Sequence, residues 1–160
     1  MWIMTTNASL PAWTKWALLG AAIILVVLGI AYAEMDMERH VPLEKMPPEA
    51  REFMTSNFAE QKVILSKKEQ EFFCKEYEVI LDGGTKITFD NKGRWIKVDC
   101  KYGSVPQGII PVEIAEFLQS RYSGSIVTEI ERKHSRLEVE IDGRQELTFD
   151  KNHNLIGFDD

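Results

Sequence analysis

The chain is poor in the residues that most often carry chemistry. It has two cysteines and three histidines among 160 residues. Two cysteines exclude both a dense disulfide framework and a four-thiolate metal site. The histidines are His40, His134 and His153. No two of them have a ligand spacing such as HxxxH, and HExxH is missing. GxSxG, Walker A and GxGxxG are missing as well, so no nucleophile elbow or nucleotide loop is written in the chain. Long basic runs are also lacking. Lys and Arg number 19 against 25 Asp and Glu, a formal net charge of −6. That balance argues against a nucleic-acid partner, which requires a basic face. No catalytic residue, cofactor or metal ligand set is therefore expected, and the chain is not expected to be an enzyme. Asp90-Asn91-Lys92-Gly93 looks like the start of a calcium loop but lacks the alternating acids and the closing Glu.

What is present has globular composition, with 44% hydrophobic and 28% charged residues. The first segment stands apart. From Trp16 to Ala33 no residue is charged, and Lys15 precedes the run. Ala31-Tyr32-Ala33 has the small-x-small form of a signal-peptidase site, and the polar Glu34–His40 follows. The expectation is a signal peptide over 1–33, cleaved after Ala33, and a short leader over 34–40. An uncleaved anchor is the competing reading. Both put Lys15 in the cytoplasm and everything after Glu34 outside it. Only Lys15 is charged before Ala33, so the exported part carries 18 basic and 25 acidic residues, a net −7.

The exported part repeats itself. Val41–Phe58 aligns with Val105–Tyr122 at an offset of 64, sharing Val-Pro, a second Pro, a Glu, the Glu-Phe pair and a closing aromatic. Tyr77–Asp90 aligns with Leu137–Asp150 at an offset of 60, sharing Glu-Val, Asp-Gly and Thr-Phe-Asp. Four extra residues lie in the first copy around "KKEQEFFCKE". Two units are expected, 41–103 and 104–160.

Each unit has one local grammar. A Pro stands where a helix begins. Ala50, Phe53, Met54 and Phe58, and likewise Ile114, Phe117, Leu118 and Tyr122, recur at helical spacing and form an apolar stripe. The period then changes to two. Tyr77, Val79 and Leu81 alternate with Glu76, Glu78 and Ile80, and Leu137, Val139 and Ile141 alternate more cleanly with Glu138 and Glu140. Asp82-Gly83-Gly84 and Asp142-Gly143 turn the chain into the strands of Ile87 and Phe89, and of Leu147 and Phe149. Asn91-Lys92-Gly93 and Asn152-His153-Asn154 turn it again, into Trp95–Cys100 and Leu155–Asp159. A shorter strand is expected near Lys62–Ser66 and near Ile126–Ile130. The fold class is α+β, two helix-plus-antiparallel-meander repeats forming one antiparallel sheet with the helices on one face. Pairing by parity sets Val79 opposite Ile87 and Tyr77 opposite Phe89. Asp90 and Asp150 are expected to end strands and to accept bonds from the following turn amides.

This order of Val-Pro, Pro, amphipathic helix, Tyr-Glu-Val, Asp-Gly, Ile-Thr-Phe-Asp, Gly turn, Trp and Val-Asp-Cys, used twice, resembles the β-lactamase-inhibitor-like, PepSY-like family. The resemblance covers Val41–Asp160. The chain departs from it in the insertion and in Leu155, where the first unit has Trp95. The resemblance implies a sheet of two tandem units in a periplasmic or secreted protein, and implies no known activity.

Two positions remain to be placed. On the parity register Cys74 lies seven residues before Leu81, roughly 23 Å from Cys100 at about 3.3 Å per residue. A disulfide needs Cα atoms within about 7 Å, so none is expected between them. Trp95 depends on its turn. A four-residue turn aims Trp95, Lys97 and Asp99 away from the core, on the helix-free face with Glu78 and Thr88, and leaves Leu155 outward in the second unit. A three-residue turn sets Trp95 opposite Phe89, in the core. On the first alternative Trp95, Lys97, Asp99, Glu78, Thr88 and Leu155 make a protein-binding face. The functional expectation is an exported, non-enzymatic module that binds or inhibits another exported protein through the helix-free face or a sheet edge. The alternative is a periplasmic sensor of a small ligand or cation through its turn acids. A membrane is met only through the N-terminal segment if it is uncleaved.

Overall fold

A computed structural model describes Ile24 and residues 39–71 and 74–159. The chain divides into two compact units, Met1–Met37 and Glu38–Asp160. Within the first, Ile24 is helical, and the expected cleavage after Ala33 lies outside the described residues. Among the described residues no helix is long and apolar enough to cross a membrane.

The second unit is one antiparallel sheet with two helices. Strand β1 (Arg39–His40) leads to helix α1 (Pro48–Asn57), then to β2 (Val63–Glu71), β3 (Cys74–Leu81), β4 (Lys86–Phe89) and β5 (Trp95–Asp99). Helix α2 (Val112–Arg121) is followed by β6 (Val127–Lys133), β7 (Arg136–Ile141), β8 (Gln145–Asp150) and β9 (Leu155–Asp159). The strands lie side by side in chain order, β1 to β9. Each helix begins at the residue after a proline, which holds its own φ near −50° and donates no N–H.

Three expectations are corrected here. Arg39 and His40, assigned to a leader, pair with Lys68 and Lys67 as a strand. The strand expected near Lys62–Ser66 runs on to Glu71. The polar insertion therefore lengthens the β2–β3 hairpin, whose last pair is Glu71 with Cys74, and forms no separate loop. The strand expected near Ile126–Ile130 likewise reaches Lys133.

The core is a set of cross-strand rows beneath the helices. Ser66, Val79, Ile87, Val98, Ile130, Val139, Leu147 and Phe158 stand next to one another from β2 to β9. All but Phe158 are buried. Phe53 of α1 meets the Phe89 ring edge-on at 5.6 Å, and Phe117 of α2 meets Phe149 at 5.6 Å in the same geometry. Both helices thus cover one face through equivalent aromatic contacts.

Strand geometry also matches between the halves. One extra residue interrupts β2 at Ile64 and β6 at Thr128. Another interrupts β5 at Ile96 and β9 at Ile156. A bulge of this kind moves every later side chain to the other face. The turns before β5 and β9 are built on Asp90 and Asp150, as expected. Asp90 Oδ1 accepts the amides of Lys92 and Arg94, both at 2.9 Å. Asp150 Oδ1 accepts those of Asn152 at 2.8 Å and Asn154 at 2.9 Å. Asp82 and Asp142 serve a longer link, accepting the amides of Lys62 and Ile126 across the hairpin base.

Candidate functional site

Trp95 faces the core, which overturns the outward alternative and agrees with the three-residue turn. Asp90 N donates to Arg94 O, leaving Asn91–Gly93 as the turn and setting Trp95 opposite Phe89. The Trp95 side chain is only 9% exposed and packs 6.2 Å from the Phe53 ring. Its other side is covered from the second half, where the Arg132 guanidinium carbon lies 3.7 Å from the ring centroid. The bulge at Ile96 then restores parity, so Lys97 and Asp99 point away from the helices as expected. In β9 the equivalent bulge is at Ile156, and Leu155, opposite Phe149, lies on the helix side. The six expected site residues are therefore divided. Glu78, Thr88, Lys97 and Asp99 share the helix-free face, while Trp95 and Leu155 lie on the other.

The helix-free face is a lattice of charges. Lys67, Glu78, Thr88, Lys97, Glu131, Glu138, Thr148 and Gly157 form one row across eight strands. Glu78 takes Lys67 at 3.3 Å and Lys86 at 2.8 Å. Glu138 takes Lys133 and, at 2.9 Å, Arg136. Both glutamates are buried beneath their partners. A second row holds Lys86, Asp99, Glu129, Glu140, Glu146 and Asp159, five of them acidic. Lys97 serves it, 2.6 Å from Glu129 and 3.6 Å from Glu131. Burial pushes the Glu129 carboxyl up, Lys97 pulls it down, and the Asp99 and Glu140 charges add to the rise. Burial alone would lower Lys97, but Glu129, Glu131 and Asp99 raise it. Both groups are thus raised, Glu129 chiefly by burial and Lys97 by the carboxylates around it. Among the described residues no three His, Cys, Asp or Glu side chains converge as metal ligands.

The apolar surface is concentrated elsewhere. On the outermost strand, β9, Ile156 is 61%, Phe158 55% and Leu155 40% exposed. Phe158 continues the core row beyond Leu147, with no strand on its far side among the described residues. In the first half the corresponding strand β5 is covered, because β6 pairs with it through Lys97–Glu131, Val98–Ile130 and Asp99–Glu129. The sequence comparison of Trp95 with Leu155 pointed at this strand, but no signal in either residue announced that β9 is an edge.

Cys100 and the three histidines are placed as follows. Cys100 is a buried free thiol, pushed up by burial. His153 sits at φ 62° and bonds Glu113 of α2 at 3.0 Å, tying the last turn to the helix start. His40 and His134 are exposed.

Residues 75–157 match a family model described as "Putative beta-lactamase-inhibitor-like, PepSY-like". The chain belongs to this PepSY-like family. The match spans β3 to the middle of β9. Solved structures agree. A "putative calcium-regulated periplasmic protein" from Bacteroides thetaiotaomicron is 41% identical, with a TM-score of 0.75 over 77% of this chain and 97% of that one. A "putative periplasmic protein" of the DUF2874 family from Bacteroides vulgatus ATCC 8482 is 33% identical, with a TM-score of 0.75 over 78% of this chain and 98% of that one. A second B. vulgatus periplasmic protein, of unknown function, is 30% identical, with a TM-score of 0.73 over 78% and 100% of the two chains. No curated protein matches the chain. The PepSY-like assignment therefore carries an α+β antiparallel fold and periplasmic relatives, and it names no reaction.

Proposed function

We propose that this PepSY-like protein is an exported, non-enzymatic binding module that takes an extended segment of another exported protein along the free edge of β9. One observation carries the reading. Leu155, Ile156 and Phe158 are exposed on an edge strand whose counterpart in the first half is covered by β6. Strand addition would supply partners to the outer N–H and C=O groups of β9 and bury its apolar side chains together. The β5–β6 junction supplies the template, an antiparallel strand with an apolar residue opposite Val98, as one would lie opposite Phe158. The helix-free face, expected from sequence to be the docking surface, is the weaker candidate, because its charges already satisfy one another. Docking there would have to break buried ion pairs. Export through the Trp16–Ala33 segment and the periplasmic setting of the relatives support an exported partner, and the inhibitor-like family description supports binding over catalysis.

Photo-crosslinking in the native host tests this. Benzoylphenylalanine at position 158 should give an adduct with another protein, and the same group at position 88, on the helix-free face, should not. Adducts from position 88 alone, or none from 158, would overturn the reading. An adduct of twice the chain mass would mean that a second copy occupies the edge. The name of the B. thetaiotaomicron relative, together with the carboxylate row from Asp99 to Asp159, favours a second reading, cation sensing. Titration of the full chain with calcium chloride, followed by calorimetry, should give saturable heat on that reading and none on the first.

A further inference from the structure

Arg132 is a cation without a counterion. Its neighbours are all engaged. Lys97 and Lys133 hold glutamates, Arg136 holds Glu138, Arg94 holds Asp90 at 2.6 Å, and His153 holds Glu113. Arg132 is exposed and forms no ion pair or hydrogen bond with another described residue. Burial pushes its pKa down, and the nearby Arg94 charge adds to the lowering.

The guanidinium is also held ready. It lies over the Trp95 ring at 3.7 Å, and Phe53 supports that ring from α1. Contact with the ring uses the face of the guanidinium and leaves the N–H edge free. A planar fork fixed in this way matches an oxyanion, which can accept two N–H groups at once. Beside it is a cavity of about 240 Å³ lined by Trp95, Arg132, His134, Asp150, Lys151 and His153. At roughly 30 Å³ per water this is room for an oxyanion with a small organic body. Asp150 is the one carboxylate in the wall, and it is already occupied by the Asn152 and Asn154 amides and the Asn154 side chain.

We propose that the Trp95–Arg132 cavity binds the oxyanion group, carboxylate or phosphate, of a small ligand, with the free N–H edge of Arg132 as its principal contact. The site lies between β5, the β6–β7 hairpin and the β8–β9 turn, and does not depend on the binding role proposed for the β9 edge.

Calorimetry on the full-length chain in non-ionic detergent, with sodium phosphate and sodium succinate in separate titrations against sodium chloride of equal ionic strength, tests the proposal. A saturable one-to-one isotherm is expected for at least one of them, with Kd near or below the millimolar range. Binding of phosphate alone assigns a phosphate-bearing ligand, and binding of succinate alone assigns a carboxylate. The Trp95 indole N–H resonance should shift during the same titration. Arg132→Gln should abolish binding. Arg132→Lys, which keeps the charge and loses the fork, should weaken it at least tenfold and serves if the Gln variant fails to fold. Heat from neither anion, or an unchanged affinity in a folded Arg132 variant, would overturn the proposal.

Discussion

Val98 and Phe158 stand in one row of the sheet at corresponding places of its two halves, and Val98 is fully buried while Phe158 is 55% exposed. The difference is topological. Val98 has Ile130 beside it on β6, and among the described residues Phe158 has no strand beyond it. Truncation should therefore act differently at the two sites. Val98→Ala should destabilise the fold by roughly 2 kcal/mol, since the cavity left behind cannot collapse. Phe158→Ser should change stability by less than about 0.5 kcal/mol, as exposed substitutions do. Urea unfolding of the two variants checks the pair, and equal losses would mean that Phe158 is covered.

The third turn should be sensitive to a single methyl group. Gly93 has φ +90°, and a Cβ there would meet the Ala50 amide nitrogen and the Pro47 Cβ, each at 2.8 Å. Gly93→Ala combines a left-handed backbone penalty with a clash against the start of α1, and should cost roughly 2–4 kcal/mol. Gly143 has φ +66° with nothing within 4 Å of its Cβ position. Gly143→Ala should cost only the conformational penalty, about 1 kcal/mol. In the second half the residue corresponding to Gly93 is His153, which bonds Glu113 instead of letting backbone meet helix. The ranking of the two glycine variants by thermal unfolding decides the point.

Local chemistry in this chain was readable where a residue acts on its own neighbours. Asp90 and Asp150 bond the amides two and four residues on, and Pro48 and Pro111 mark helix starts. Alternation placed Val79, Ile87, Val139 and Leu147 in the core, because one face of each strand is apolar. Trp95 was ambiguous because one inserted residue reverses every later facing, and Ile96 carries no mark of being the inserted one. The exposure of β9 was not readable either. Its apolar residues look like core, and only the order of the strands leaves them at an edge. The Arg132 contact joins residues 37 positions apart, and no spacing rule connects an arginine on one strand to a tryptophan on the next.

Cys100 should be unreactive in the folded state. It is buried, and burial pushes its thiol up more than the hydrogen bond with Thr85 pulls it down, with the Asp99 charge adding to the rise. The thiolate is the reactive form, so attack is suppressed by both access and ionisation. In a Cys74→Ser background, iodoacetamide at pH 8 should leave the native protein unmodified and add one group in urea. Mass measurement before and after unfolding checks this, and rapid native alkylation would place Cys100 at the surface.

Asp90 and Asp150 should give the fold a shared acid limit. Burial acts to raise the Asp90 carboxyl, but the Arg94 side chain and the Arg94 and Lys92 amides outweigh it and hold it below its ordinary value. The Asn154 amide is the main cause of the same lowering at Asp150. A carboxylate whose folded pKa is depressed contributes its stability above the unfolded value, about 3.9, and loses it as pH falls through the folded value. The contribution is thus complete at pH 7 and declines below about pH 4. Both groups are near the surface, so the effect is modest and should shrink in high salt. In Asp90→Asn with Asp150→Asn, the side-chain oxygen can still accept the turn amides, but the charge is gone. The variant should unfold at lower urea than the native chain at pH 7, and the two midpoints should converge as pH falls from 5 to 3. Parallel curves across that range would show that the turn aspartates bind protons equally in the folded and unfolded chain.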